Sequence, residues 1–362
     1  MTSIPNELLK DPLFQLNILL WLAQPLPSEM EVIPLFYTKG FTVYAIAPLI
    51  GPPPDVRLAA QQAGLSIQER LRPDVVLANE NDRKFAFAEC KASSFGPTSS
   101  TAEQARSLLV VAGNRAAEVL GLAPSQVSTT ILGYLIPEND RVPLTQTVAN
   151  LFKELGQNGL PAGQFSVLGL MMTDTDISIV INDLGSAFFK LPSGSNHFMK
   201  REPDTDPRPL YFIPYDPDVV QSDQEKVLCR RILFERMHST IVAAVGRANP
   251  PAELVLESQK ILNDAMFGMY GHWQNRESAR HMRGLCRQFM DSLTQAVNSV
   301  VSSTMVFQPG EGWKTNLHDQ EHHEKVIDAL TRFSCETLDL GIEPQPSLFD
   351  DLEDNRPLSN RK

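Results

Sequence analysis

Arg72-Pro73-Asp74-Val75-Val76-Leu77-Ala78-Asn79, then Glu80-Asn81-Asp82-Arg83, then Lys84-Phe85-Ala86-Phe87-Ala88-Glu89-Cys90-Lys91 is the stretch on which the reading of this chain turns. Two short apolar runs, Asp74 to Asn79 and Phe85 to Ala92, flank a polar turn, the pattern of a β-hairpin. Side chains two apart on a strand share a face, so Glu89 and Lys91 point the same way. A carboxylate and an ammonium on one side of an apolar strand are costly unless they meet partners or a metal. Asp74, at the start of the paired strand, can supply a second carboxylate. Two carboxylates with a main-chain carbonyl make a hard oxygen set suited to Mg²⁺.

The surroundings extend this pattern. Ser28 and Glu31 have capping-box spacing and open a helical segment toward Lys39-Gly40. Phe41 to Ile50 reads as a strand and Val56 to Arg70 as a helical piece. After the hairpin, Ser100 and Glu103 form another capping box. The stripe Ala105, Leu108, Ala112, Ala116, Val119 predicts one helix, ended by Gly121. Strands follow at Ser128 to Ile136, Phe165 to Met171 and Ile177 to Ile181, with a helix near Pro143 to Leu155. Leu13 to Ala23 is too short to cross a bilayer and reads as an amphipathic first helix. The mixture implies one α/β layer with helices packed on the sheet.

These residues resemble the PD-(D/E)XK nuclease superfamily, whose motif stands here as Pro73-Asp74 followed by Glu89-Cys90-Lys91. The resemblance covers roughly Ser28 to Ile136. It implies a restriction-endonuclease-like mixed sheet flanked by helices and metal-assisted hydrolysis of phosphodiesters, DNA before RNA. Asp74, Glu89 and the Cys90 main-chain oxygen would hold Mg²⁺, with Mn²⁺ able to substitute, and Lys91 would be catalytic. Gln104 matches a glutamine that the family places on the first turn of the next helix. Glu31, with Glu29 behind it, matches an acidic residue on the first core helix.

Residues 1–190 are thus expected to form the nuclease-like domain. A Pro-, Asp- and Ser-rich linker is expected over 191–220, a smaller all-helical domain over 221–308, and an acidic, partly disordered tail over 309–362. In the helical part, Ser222 and Glu225 form a third capping box, and Leu228, Leu233, Met237, Ile241 and Val245 supply an apolar face. Pro251 suits the first turn of a second helix. Met282, Leu285, Phe289, Leu293, Ala296 and Val300 mark a third.

Each candidate has a plainer alternative. Glu89 and Lys91 could be a surface pair, with Ala86, Ala88 and Cys90 facing the helix. Gln104 could simply be a polar residue near a helix start. Arg276, Arg280, Arg283 and Arg287 form a ridge for nucleic acid or an acidic partner, or a solvated helix face. The loop Ser93 to Ser100 could hold a phosphate or merely connect. His318, Asp319, His322 and His323 lack the further ligands of a structural zinc site. There is no Walker A sequence, no G-x-S-x-G elbow and no H-E-x-x-H.

The charge is −11 over 362 residues. From Asp319 onward, eleven acidic residues meet five basic ones, so that stretch carries −6 and the rest −5. Phosphate contacts come from clustered Lys and Arg, so this balance predicts weak unaided DNA binding. It points to homo-oligomers or to a protein partner; association at the level of the resembled fold, not the charge, suggests a helicase or ATPase in a prokaryotic antiviral-defence or DNA-processing system. It also leaves open a non-catalytic interaction subunit that uses the nuclease-like fold as a binding module. Four dispersed cysteines, Cys90, Cys229, Cys286 and Cys335, suit a reducing cytoplasm.

Overall fold

Seven strands form one mixed sheet in simple chain order. They are β1 (Thr42–Ile46), β2 (Val75–Asn79), β3 (Lys84–Cys90), β4 (Thr129–Pro137), β5 (Gln164–Met172), β6 (Asp176–Ile181) and β7 (Gly194–Lys200). The computed structural model describes residues 7–26, 32–202, 205–310, 312–335 and 338. The described residues fall into two compact units, the first comprising those up to 206 together with 272–275, the second the other described residues.

In the first unit, β1, β2 and β3 pair antiparallel, β3, β4 and β5 parallel, and β5, β6 and β7 antiparallel. The parallel steps need crossovers. These are supplied by α3 (Ser100–Val110) with α4 (Ala116–Val119), and by α5 (Glu138–Gln157). Helix α2 (Pro54–Gln62) precedes the hairpin and α6 (Asp183–Phe189) precedes β7. One core joins Val76, Phe85, Phe87, Leu132 and Tyr134 of the sheet to Ala102, Ala105 and Leu108 of α3 and Leu144, Val148 and Leu151 of α5. The alternate positions Val75, Leu77, Ala86, Ala88 and Ile131 are buried as well. Helix α1 (Pro12–Ala23) lies against β1 to β4. Covered strands of this kind read as near-continuous apolar runs, as β2 and β3 do.

Several expectations change. Helix α1 is not amphipathic: every residue from Leu13 to Ala23 is buried. Its two buried amide nitrogens find carbonyls inside, Asn17 Nδ2 donating to Leu13 O and Gln15 Nε2 to Leu9 O. The helix after the hairpin is capped by Ser99, one residue earlier than Ser100, its hydroxyl accepting from Ala102 N. It is also interrupted by a π-helical turn, Val111–Arg115. There Leu109 O accepts from Gly163 N and Ala112 O from the Thr130 hydroxyl, so neighbouring groups enter the helical ladder. Helix α2 stops at Gln62, well short of Arg70. The Ser28–Glu31 capping box lies outside the described residues.

The expected linker is largely ordered structure. Residues 194–200 form the edge strand β7, which looks polar in sequence because Ser195 and His197 lie on its exposed side while Phe198 and Met199 are buried. Tyr211, Phe212, Ile213 and Tyr215 are buried in the second unit.

That second unit is not all-helical. It combines α7 (Asp223–Gly246), α8 (Ser258–Ala265), α9 (Arg276–Val300) and α10 (Gln320–Arg332) with a three-stranded antiparallel sheet, β8 (Ala252–Leu256), β10 (Gly312–Leu317) and β9 (Met305–Gln308), in the order β8-β10-β9. Pro251 therefore leads into a strand. The run Ala252 to Leu256 alternates between half-buried or buried and exposed positions, a period of two that competes with the helix expected there. The Ser222–Glu225 capping box of α7 is present, and Leu233, Met237, Ile241 and Val245 are buried as the spacing implies. Buried Val326, Ala329 and Leu330 put α10 within this core, so packed structure continues well past residue 309. The stretch from Pro344 lies outside the described residues. No helix among the described residues is long and apolar enough to cross a membrane.

Candidate active site

The end of β3 gathers the candidate residues Glu89 and Lys91. Continuing the register Val75↔Ala88 by one step sets Asp74 opposite Glu89, and residues opposite one another in an antiparallel pair share a face. In the parallel pair, Glu89 lies beside Tyr134 of β4. This face is covered by α3, so the charged side chains point toward a helix and not toward bulk water.

Glu89 is 1% exposed. Lys91 Nζ donates to its Oε2 at 2.7 Å. Gln104 Nε2 donates to both carboxylate oxygens, at 3.2 and 3.3 Å, and Gln104 Oε1 accepts from Lys91 Nζ at 3.4 Å. Gln104 thus lies in the second turn of α3, not the first, and still reaches the site. The surface-pair alternative would leave Glu89 in solvent, and its burial removes that reading.

Asp74 is half-buried, and its Oδ2 accepts from Cys90 N at 2.6 Å. Pro73 has no N–H to offer the end of β3. The Asp74 carboxylate instead takes the Cys90 N–H, Leu135 O accepts from Lys91 N at 2.9 Å, and Gln15 Nε2 donates to Lys91 O at 3.0 Å. Neither Gln15 nor Tyr134 stands out in the sequence as a site residue. Gln15 is one polar position in an apolar helix, and Tyr134 one aromatic in an apolar strand.

The electrostatics follow from burial. Desolvation pushes the Glu89 carboxyl up to about 7, helped by the Asp74 charge and opposed by Lys91 and Gln104. Desolvation raises Asp74 too, with the Lys91 charge and the Cys90 N–H pulling the other way. For Lys91, burial works against the ammonium, yet the Glu89 and Asp74 charges outweigh it and hold its pKa above the ordinary value. Burial and the two carboxylates push the Cys90 thiol well up, which keeps it protonated and unreactive.

Two mutually repelling carboxylates and the Cys90 main-chain oxygen are hard donors that fit a cation keeping several of its waters. Among the described residues, no cluster of three or more His, Cys, Asp or Glu forms a candidate metal site. Glu31 and Glu29 lie outside the described residues.

The other candidates form no comparable cluster within their own units. Arg276 and Arg280 are exposed, but Arg283 is buried and Arg287 is half-buried over the Phe307 ring, 5.0 Å to its centroid. The four arginines are therefore not one solvent-facing ridge, because α9 turns its Arg283 side into the protein. In the loop after Lys91, the Ser94 N–H and hydroxyl both donate to Asp140 Oδ1 at 3.3 Å, and that carboxylate disfavours a phosphate. His323 is buried with its Nε2 2.8 Å from Val245 O, while His318 and His322 pair ring to ring. Comparison of the chain with family models, with curated proteins and with solved structures finds no match.

Proposed function

We propose that the chain is a Mg²⁺-dependent nuclease that hydrolyses phosphodiester bonds, DNA being the favoured substrate, with Asp74, Glu89, Lys91 and Gln104 as its working residues. The observation that carries this reading is the convergence of Lys91, Gln104 and the buried Glu89 on one sheet face, with Asp74 opposite Glu89. Asp74, Glu89 and the Cys90 main-chain oxygen would hold the cation. A bound Mg²⁺, or Mn²⁺ in its place, supplies Lewis-acid polarisation of the phosphate.

The chain's own groups do the rest. The Lys91 ammonium orients the attacking water and offsets the negative charge that grows on phosphorus oxygens. Gln104 holds the Glu89 carboxylate and the Lys91 ammonium in register, so neither must reorganise during the reaction. The water oxygen forms a bond to phosphorus as its proton passes to bulk solvent, the ester P–O bond breaks, and the departing oxygen takes a proton back from solvent.

Plasmid cleavage with Mg²⁺, Mn²⁺ or EDTA tests this reading, comparing wild type with Lys91→Ala. The expected result is metal-dependent cutting that EDTA and the substitution each abolish. Undiminished cutting by Lys91→Ala sinks the mechanism. The −11 charge favours one second reading, a non-catalytic subunit within a nucleic-acid-processing assembly. Such a subunit would neither cut nor bind Mg²⁺ in the same assay.

A further inference from the structure

We infer that Gln15 is a positioning residue for the site, pinning the end of β3 so that the Lys91 ammonium stays on Glu89; as a statement about catalysis, this rests on the nuclease reading. Gln15 is fully buried in α1, remote in sequence from the hairpin. Its Nε2 bridges two main-chain carbonyls, Leu9 O at 2.6 Å and Lys91 O at 3.0 Å. With both amide hydrogens directed at carbonyls, the orientation of the side chain is set, and its buried Oε1 has no hydrogen-bond partner among the described residues. An orphaned buried acceptor is a cost that an apolar side chain would avoid. What the glutamine adds over leucine or methionine is its pair of donors.

The place where those donors act is the informative part. Strand β3 ends at Cys90, so Lys91 lies beyond the regular ladder. Its N–H is held by Leu135 O and the preceding N–H by the Asp74 carboxylate. The Lys91 carbonyl takes its hydrogen bond from Gln15. Without that bond, the peptide after Lys91 is free to rotate, and the backbone that aims the ammonium at Glu89 loosens. Gln15 touches neither Glu89 nor the Lys91 side chain in these contacts. Its action runs through the main chain.

The test substitutes Gln15→Met, with Gln15→Leu as a second variant of similar size should the first fold poorly. Amide hydrogen exchange is followed residue by residue in the full chain, alongside kcat and KM for plasmid cleavage. The expected result is exchange at least ~10-fold faster at Cys90 and Lys91 only, with β5 and β6 unchanged. Alongside it, kcat should be lower by ~10-fold and KM unchanged, the pattern of a misaligned catalytic group. Unchanged exchange at Lys91 overturns the inference, and so does a uniform rise across the sheet, which marks a merely structural role. Local loosening with an unchanged kcat overturns the catalytic part. If the wild type cuts nothing, the nuclease reading has failed, and the exchange pattern alone decides whether Gln15 positions this strand end.

Discussion

Replacing Glu89 by glutamine should abolish a pH dependence of folding that the buried carboxyl imposes. A carboxyl raised from its ordinary 4.5 to about 7 is harder to ionise in the folded chain than in the unfolded one. The sign follows from linkage: with a raised folded pKa, the contribution is fully present below pH 4.5 and is lost as pH climbs through 7. At ~1.4 kcal/mol per tenfold change in ionisation, the loss between those limits is ~3 kcal/mol. Glu89 is 1% exposed, so solvent screening discounts this little. For a unit of about two hundred residues, that corresponds to roughly 6–12 °C in Tm. The Lys91 pKa is raised above its ordinary 10.5, outside this window, and does not blur it. Urea and thermal unfolding of wild type and Glu89→Gln between pH 5 and pH 8 provide the assay. Wild type should lose stability up to about pH 7 and then level off, and the variant should lose distinctly less, ending at least as stable as wild type at pH 8. Saturating Mg²⁺ should restore wild type at pH 8 and leave the variant unmoved. A wild-type-to-variant difference that stays constant to within ~0.5 kcal/mol from pH 5 to pH 8 refutes the reasoning.

Asp74→Asn keeps an oxygen that can accept from Cys90 N while removing the charge, so cleavage should fall at least ~100-fold with Tm unchanged within a degree or two. Lys91→Ala removes the cation beside a buried carboxylate, so at pH 8 unfolding measurements should show a loss of ~1–3 kcal/mol, shrinking toward pH 5 where Glu89 is protonated. Ending the chain after Cys335 spares α10, whose Val326, Ala329 and Leu330 are buried, and removes seven acidic and three basic residues, a charge of −4. If the tail competes with DNA, salt-dependent duplex binding should strengthen; Arg276→Ala with Arg280→Ala should weaken DNA or partner binding and lower the salt slope by ~2 if both meet phosphate.

The sequence by itself determined the elements whose period is short and whose neighbours are local. The Val75–Asn79 and Lys84–Cys90 runs with their polar turn specified a hairpin, and the two-residue spacing of Glu89 and Lys91 put them on one face. Ser222 and Glu225 capped α7 as their spacing required. In each case the deciding interaction lies within a few residues along the chain. What lay beyond it was settled by packing over long separations. Only the folded sheet shows that Glu89 faces α3 and is buried, since alternation says which residues share a face but not which face a helix covers. The strand at 194–200 exists because β6 offers an edge to pair with, although Ser195 and His197 read as loop. The second unit acquires its sheet because residues 252–256 find 312–317 about sixty positions away. Gln15 meets Lys91 across 76 residues, and no local pattern announces such a contact, because a single buried amide leaves no periodicity to read.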